Sequence, residues 1–192
     1  AFGPAIVVFS IVSDDVTRTG LRFFYRWKPY FSFDGGEPTL VPPPPPDVPL
    51  REPFWLTGLG YSHLARAIST RSYPSLWYRR VRNPAHRYEV EVSGLLLQRL
   101  QTFVHEHGGR LLVVLTAGGD GDARNMPALL AEAEKRGIDV LDLSEQLAEF
   151  AADPGERRRM FRPNYHLSPE GNDWMAARIE ESLSELGGIE GS

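Results

Sequence analysis

Residues 5–12 read Ala-Ile-Val-Val-Phe-Ser-Ile-Val, a continuous run of apolar and mostly β-branched side chains. A run of this composition predicts a β-strand that is buried on both faces, as strands of parallel sheets are. Ser13, Asp14 and Asp15 follow directly, so polar groups stand at the carboxyl end of the strand. Open α/β sheets build their sites at that end. We therefore expect a functional site just after the first strand.

Strand and helix patterns alternate regularly from about residue 88 onwards. Two more apolar runs, at residues 110–116 and 138–143, predict buried strands. Helical periodicity covers three segments, namely residues 92–104, 126–136 and 144–150. Short links between such elements predict parallel strands that are joined by right-handed crossovers. The fold class is therefore α/β. The glycine-rich segment 118–122 lacks the Lys-Ser/Thr of a phosphate-binding loop, and we interpret it as a flexible turn at the carboxyl edge of the sheet.

Residues 18–87 interrupt this alternation and carry too few apolar residues for a core of their own. The turn signal Asp34-Gly35-Gly36 predicts a hairpin between residues 27–33 and 38–41. A helical pattern follows at residues 57–70. Residues 42–46 are five consecutive prolines, which adopt extended polyproline II and suit a stiff tether or, alternatively, the ligand of an SH3-like adaptor partner. We expect an inserted cap within one domain of residues 1–192.

Residues 162–172, Arg-Pro-Asn-Tyr-His-Leu-Ser-Pro-Glu-Gly-Asn, place His166 in a short loop before a helix. Ser168 fits the N-cap and Pro169 the first helical position. The helix that follows carries a predicted buried stripe of Met175, Ala176, Ile179, Leu183 and Leu186. A histidine mounted in this way is held firmly and can face solvent, as a general base must. The alternative is an ordinary surface histidine.

Composition excludes several classes of function. The formal net charge of −4 argues against a nucleic-acid partner that is bound by broad phosphate neutralisation. No apolar run approaches the roughly 20 residues of a membrane span. The chain has no cysteine, so disulfides and thiolate sites are absent, and no residue pattern predicts a metal or cofactor. Cytoplasmic and exported locations both stay open. Because residue 1 is Ala and a core strand begins almost at once, we expect a missing N-terminal segment.

These motifs together resemble the C-terminal two-thirds of the SGNH (GDSL-like) hydrolase family. The matching segments are residues 4–16 as the strand and turn of the third block, Lys28-Pro29-Tyr30-Phe31, residues 111–115, residues 137–143 and residues 166–171. The resemblance implies a three-layer α/β/α sandwich with a flavodoxin-like parallel sheet, from which the N-terminal strand and helix are missing. The first block, which carries the serine, and the glycine of the second block have no counterpart in this chain.

The resemblance implies an ester hydrolase or O-acyltransferase with His166 as general base. Asp14 stands where the family has an oxyanion-binding asparagine, and Asn164 stands where it has the acid before the histidine, or Pro163 with a longer spacing. Ser13 and Asp15, beside Asp14, are expected to contact the substrate. The implied substrate is a small-molecule, carbohydrate or lipid ester, and the nucleophilic serine comes from outside this chain.

Two of these positions favour an alternative, a catalytically degenerate domain that binds a carbohydrate or a protein partner. A carboxylate at Asp14 accepts hydrogen bonds where the family's amide donates them. An amide at Asn164 stabilises an imidazolium less than a carboxylate does. Within the chain, Ser62 is a poor nucleophile candidate, because Leu64 is too large for the strained turn that a nucleophile elbow requires.

Overall fold

The computed structural model describes residues 6–19, 23–24, 26–27, 29–43 and 88–186. The strands are β1 (Ile6–Val12), β2 (Phe23–Phe24), β3 (Arg26–Trp27), β4 (Tyr30–Ser32), β5 (Thr39–Val41), β6 (Arg110–Thr116) and β7 (Asp139–Asp142). The helices are α1 (Ser13–Arg18), α2 (Glu89–Glu106), α3 (Met126–Lys135), α4 (Ser144–Ala152), α5 (Pro154–Met160) and α6 (Pro169–Glu185). The chain divides into two compact units, one of Ala1–Thr17 with Tyr88–Ser192 and the other of Arg18–Arg87.

The first unit contains a three-stranded parallel sheet in the order β1-β6-β7. The register pairs Ile6 with Arg110 at one end of β1, and Val12 with Thr116 at the other. Because all three strands run in the same direction, their carboxyl ends lie along one edge of the sheet. The predicted α/β class with a parallel sheet is confirmed, and the architecture is compatible with an α/β sandwich.

The central strand β6 carries the core. Its residues from Leu111 to Thr116 are all buried, and successive side chains point to opposite faces. Leu111, Val113 and Leu115 pack in one apolar cluster, together with side chains of α2 and α3. Leu112 and Val114 pack in a second cluster with α4, α5 and α6. Helices therefore cover both faces of the sheet at this strand, which explains the unbroken apolar sequence of β6.

Strand β1 lies at an edge of this sheet, and the expectation that it is buried on both faces is wrong. Ile11 is buried, but Val8 is 41% exposed and Phe9 is 43% exposed. Since these two neighbours point to opposite faces, both faces of β1 are open at its middle. Apolar composition predicted the strand correctly. Burial depends on what packs against the strand, and the local sequence does not contain that information.

The helices of the first unit begin and end largely where the sequence signals stand. Helix α2 ends before Gly108 and α3 ends before Gly137, and both glycines adopt positive φ, of 77° and 66°. Two short helices, α1 and α5, were not expected. For α5 the signal was present, because Asp153 followed by Pro154 is a typical cap and first residue. The Asp153 carboxylate accepts hydrogen bonds from the backbone N–H groups of Gly155 and Glu156, at 2.7 and 2.8 Å.

Helix α6 confirms the predicted cap at Ser168, with Pro169 as its first residue. Ser168 Oγ accepts a hydrogen bond from the N–H of Gly171 at 3.0 Å and donates one to the carbonyl oxygen of Arg159. Half-buried side chains of the helix pack against the second cluster, namely Trp174, Met175, Ile179, Leu183 and Leu186. Ala176 is exposed, so the predicted stripe is wrong at that position. Trp174, which the predicted stripe did not include, packs against the second cluster as well.

The second unit contains two small antiparallel pairings, β2 with β3 and β4 with β5. The β4–β5 pair is the predicted hairpin, and Asp34 Oδ1 accepts a hydrogen bond from Gly36 N–H in its turn. Residues 44–46 of the proline run, the helix predicted at 57–70 and Ser62 lie outside the described residues. A cap function for residues 18–87 stays a prediction.

Replacing Ser168 by Ala tests the cap that positions α6. The substitution removes both hydrogen bonds of the hydroxyl, and we expect a loss of about 1 kcal/mol in the free energy of unfolding. Urea denaturation followed by circular dichroism measures it. Ser168→Thr retains the hydroxyl and serves as the matched control, with most of the stability kept. Equal stability of the wild type and the alanine variant would contradict this role of Ser168.

Candidate functional site

The carboxyl edge of the sheet is held together by a buried hydrogen bond between neighbouring strands. Thr116, the last residue of β6, donates from Oγ1 to the carbonyl oxygen of Ile11 in β1, at 3.0 Å. Beyond Thr116 the chain enters the loop of residues 117–125, which we call the β6 loop. This loop leads into α3, and it contacts both of the segments that the sequence singled out as functional.

The first of these segments is the turn that follows β1. Asn125, at the end of the β6 loop, donates from Nδ2 to the carbonyl oxygen of Ser13 at 3.4 Å and to Thr17 Oγ1 at 3.2 Å. Ser13 is only 2% exposed, and its Oγ has no hydrogen-bond partner of normal length within the described part of the chain. The hydroxyl nevertheless lies near enough to Asp122 to contribute slightly to the lowered pKa of that carboxyl.

A paired guanidinium and carboxylate order the middle of the β6 loop. Arg124 binds Asp122 with two hydrogen bonds, Nε to Oδ1 at 2.8 Å and Nη2 to Oδ2 at 2.7 Å. These bonds are the largest cause that lowers the pKa of Asp122 below its ordinary 3.8, and partial burial of the carboxyl opposes them. Asp14 and Asp120 add to the negative field that raises the pKa of Arg124. One carboxylate therefore binds this guanidinium directly, and two more contribute negative charge nearby.

The second segment is the turn that carries His166. An antiparallel bridge between Phe161 and Leu167 closes it. Inside, the N–H of Arg162 donates to the carbonyl oxygen of His166 at 2.8 Å, and the N–H of Tyr165 donates to that of Arg162 at 3.0 Å. Tyr165 has a φ of 67°, a left-handed backbone conformation that is strained for a bulky residue. We call residues 161–167 the His166 turn.

Gly119 joins the β6 loop to the His166 turn. Its N–H donates to the carbonyl oxygen of Tyr165 at 3.0 Å. A Cβ atom at this position would lie 3.0 Å from the ring of Phe161, a tight contact, so the close approach favours glycine. The turn after β1 and the His166 turn therefore both border the β6 loop at the carboxyl edge of the sheet.

The five residues that the sequence singled out for the site differ in exposure. Asp14 and Asp15 are exposed in the first turn of α1, whereas Ser13 is buried beside them. Asn164 and His166 are exposed in the His166 turn. Among the described residues, the His166 ring makes no hydrogen bond or ion pair, so an oriented catalytic dyad is not assembled in this state. Catalytic contacts often tighten only when substrate binds, and these roles stay predictions.

The sequence interpretation missed the residues that connect the two turns. It treated residues 118–122 as a flexible turn, but side chains order this segment. Asp120 Oδ1 accepts a hydrogen bond from the N–H of Asp122 at 3.2 Å, and Asp122 Oδ1 accepts one from the N–H of Arg124 at 3.1 Å. Aspartates that bond to the backbone two residues on are typical of ordered turns. That spacing was the available signal.

The described residues contain neither a metal-binding cluster nor a membrane-spanning helix. No group of three or more His, Asp or Glu side chains among them could hold a metal ion. Within the same ranges, no helix combines the length and the apolar character that crossing a membrane requires.

Comparison with known proteins gives no match to a protein-family model, a curated protein or a solved structure.

The Asp122–Arg124 pair makes stability depend on pH in a direction that can be tested. Because the folded state lowers the pKa of Asp122, the pair stabilises the fold above the ordinary value of 3.8, and this contribution is lost as the pH falls through the lower folded value. Arg124→Gln should therefore be less stable than wild type at neutral pH, with the difference shrinking in strong acid. Denaturant unfolding at several pH values, with Arg178→Gln as control, measures this. A difference that does not change with pH would contradict the assignment.

Proposed function

We propose that this chain is part of an SGNH-type serine ester hydrolase or O-acyltransferase, which acts on an acyl ester such as an acetylated carbohydrate or lipid. One observation carries the proposal, the hydrogen bond from the N–H of Gly119 to the carbonyl oxygen of Tyr165. It brings the turn with the candidate general base to the loop that also borders Ser13 and Asp14. A histidine and an oxyanion-side turn at one sheet edge are what acyl transfer requires.

In the proposed reaction, His166 takes the proton of a serine hydroxyl as that oxygen attacks the ester carbonyl. The imidazolium then gives the proton to the leaving alcohol. The exposed ring, unpaired within the described residues, is available for this transfer. Asn164 would orient the imidazole through its amide. Asp14 lies on the oxyanion side, where an ionised carboxylate opposes negative charge, so we expect slow chemistry with this sequence.

The nucleophilic serine is proposed to come from outside residues 1–192. The exposure of Val8 and Phe9 supports this part of the proposal. An apolar strand with open faces at the edge of a parallel sheet is suited to pairing with one more strand, and to being covered by the elements that flank it. A parallel strand added at this edge would end beside Ser13, and a serine in the turn after it would face the same site.

A degenerate binding domain is the second candidate function. Two features favour it, the exposed carboxylate of Asp14 at the oxyanion position and the uncharged Asn164 before the histidine. A domain of this kind would use the same surface at the sheet edge to bind its carbohydrate or protein partner without turnover.

The parent protein, expressed with the coding sequence upstream of residue 1, tests the hydrolase proposal. We expect a fluorophosphonate probe to label a serine in a Gly-Asp-Ser-like turn, and p-nitrophenyl acetate to be hydrolysed. His166→Ala should lower kcat at least about a thousandfold, because a triad member is lost. His105→Ala removes an exposed histidine of α2 and is the matched control. Absence of a serine turn upstream, or full activity without His166, would contradict the proposal.

Substitution of Asp14 by Asn in the same parent tests the oxyanion assignment. The amide restores a hydrogen-bond donor, so kcat should rise by about tenfold or more. Asp173→Asn changes an exposed side chain of α6 in the same way and should have no effect on kcat. Steady-state kinetics with p-nitrophenyl acetate measures both. A fall in kcat for Asp14→Asn would remove Asp14 from this role. An inert parent that gains turnover in the Asp14→Asn, Asn164→Asp double variant would favour the degenerate domain.

A further inference from the structure

Tyr165 is an unusual residue for its backbone conformation. Its φ of 67° is one that glycine adopts without strain, yet an aromatic side chain stands there with 51% of its surface exposed. Two hydrogen bonds fix the conformation. The N–H of Tyr165 donates to the carbonyl oxygen of Arg162, and the carbonyl oxygen of Tyr165 accepts from the N–H of Gly119. Strained residues of this kind cluster at functional sites. The ring stands directly before His166.

A guanidinium group lies over this ring. The Cζ atom of Arg157 is 5.3 Å from the centroid of Tyr165, within the range of a cation–π contact. No carboxylate in the described part of the chain pairs with Arg157. Arg159, on the same short helix, pairs with two, Glu156 at 2.5 Å and Glu170 at 2.9 Å. Nearby acids are thus engaged by Arg159, and the charge of Arg157 is left without an anionic partner among these residues.

A second guanidinium, that of Arg162, belongs to the His166 turn itself. Arg162 is exposed, its backbone N–H bonds to the carbonyl oxygen of His166 at 2.8 Å, and its side chain has no ion pair within the described ranges. Tyr165 and Arg162 of the His166 turn and Arg157 of α5 therefore present an aromatic ring and two guanidinium groups without an ion pair among the described residues, although the chain as a whole carries a net charge of −4. This local charge is opposite in sign to the carboxylates of Asp14, Asp120 and Asp122, which act on Arg124.

We infer that Tyr165, Arg157 and Arg162 form the substrate-binding surface beside His166, and that they select a carboxylate-bearing saccharide. The apolar face of a sugar ring can pack against the exposed part of the tyrosine, and guanidinium groups bind carboxylates with directed, charge-assisted hydrogen bonds. The inference rests on the proposed function, for which it names the substrate class. Binding to this surface does not depend on turnover, so the two can be tested separately.

Titration of the chain of residues 1–192 with trigalacturonic acid tests the inference, with neutral maltotriose as control ligand and NMR chemical shifts as readout. We expect trigalacturonic acid to shift the signals of Tyr165, His166 and the Arg157 side chain, and maltotriose to shift none of them. Arg157→Gln and Arg162→Gln should each weaken affinity about five- to tenfold. Arg178→Gln removes an exposed arginine of α6 and should leave affinity unchanged. Equal affinity in all three variants would overturn the inference.

Tyr165→Gly separates binding from structure. The substitution relieves the left-handed backbone, so the melting temperature should stay equal or rise, while affinity for trigalacturonic acid falls at least about tenfold. A glycine variant that still binds would overturn the inference, and so would tighter binding of a single-stranded oligonucleotide of equal charge. Fluorophosphonate labelling of the parent reports on the proposed function alone. Labelling without saccharide binding would reject the inference only, and binding without labelling would reject the hydrolase only.

Discussion

One backbone hydrogen bond, from the N–H of Gly119 to the carbonyl oxygen of Tyr165, is the constraint on which the arrangement of this edge depends. A small residue at position 119 favours it, because a Cβ atom there would lie only 3.0 Å from the ring of Phe161. It also needs Tyr165 in a left-handed conformation, so that the carbonyl oxygen faces the β6 loop. Loss of either condition would weaken the hydrogen bond that joins the His166 turn to the β6 loop.

The sheet supplies the rigid support for that contact. Strand β6 is buried from Leu111 to Thr116, and its two faces pack in separate apolar clusters. The loop that leaves its carboxyl end therefore starts from a fixed position, and Thr116 ties that position to β1. By contrast, β1 has two exposed apolar side chains, Val8 and Phe9. The sheet is therefore rigid at the buried strand β6, where the β6 loop begins. At the exposed strand β1 it offers a free edge to which another strand can pair.

Charge is distributed unevenly along the same edge. On the side of β1, carboxylates act on Arg124, and its pairing with Asp122 lowers the pKa of that carboxyl. On the side of His166, Arg157 stacks on Tyr165, and Glu156, the one acid in α5, bonds to Arg159 instead. An anionic ligand would be repelled from the first side and attracted to the second. The proposed binding of a carboxylate-bearing saccharide beside His166 agrees with this distribution of charge.

Local order was predictable from the sequence by itself, because it depends on residues that are close together in the chain. The apolar run of β6, the glycines after α2 and α3, the Ser168 cap and the turn between β4 and β5 each act over a few residues, and each predicted its element. The position of His166 before a capped helix and the acidic turn after β1 were found in the same way.

What only the tertiary structure decided is which distant segments meet. The exposure of Val8 and Phe9, the contact of Gly119 with Tyr165 and the hydrogen bond of Thr116 to Ile11 depend on packing between elements far apart in sequence, for which periodicity and capping rules carry no signal.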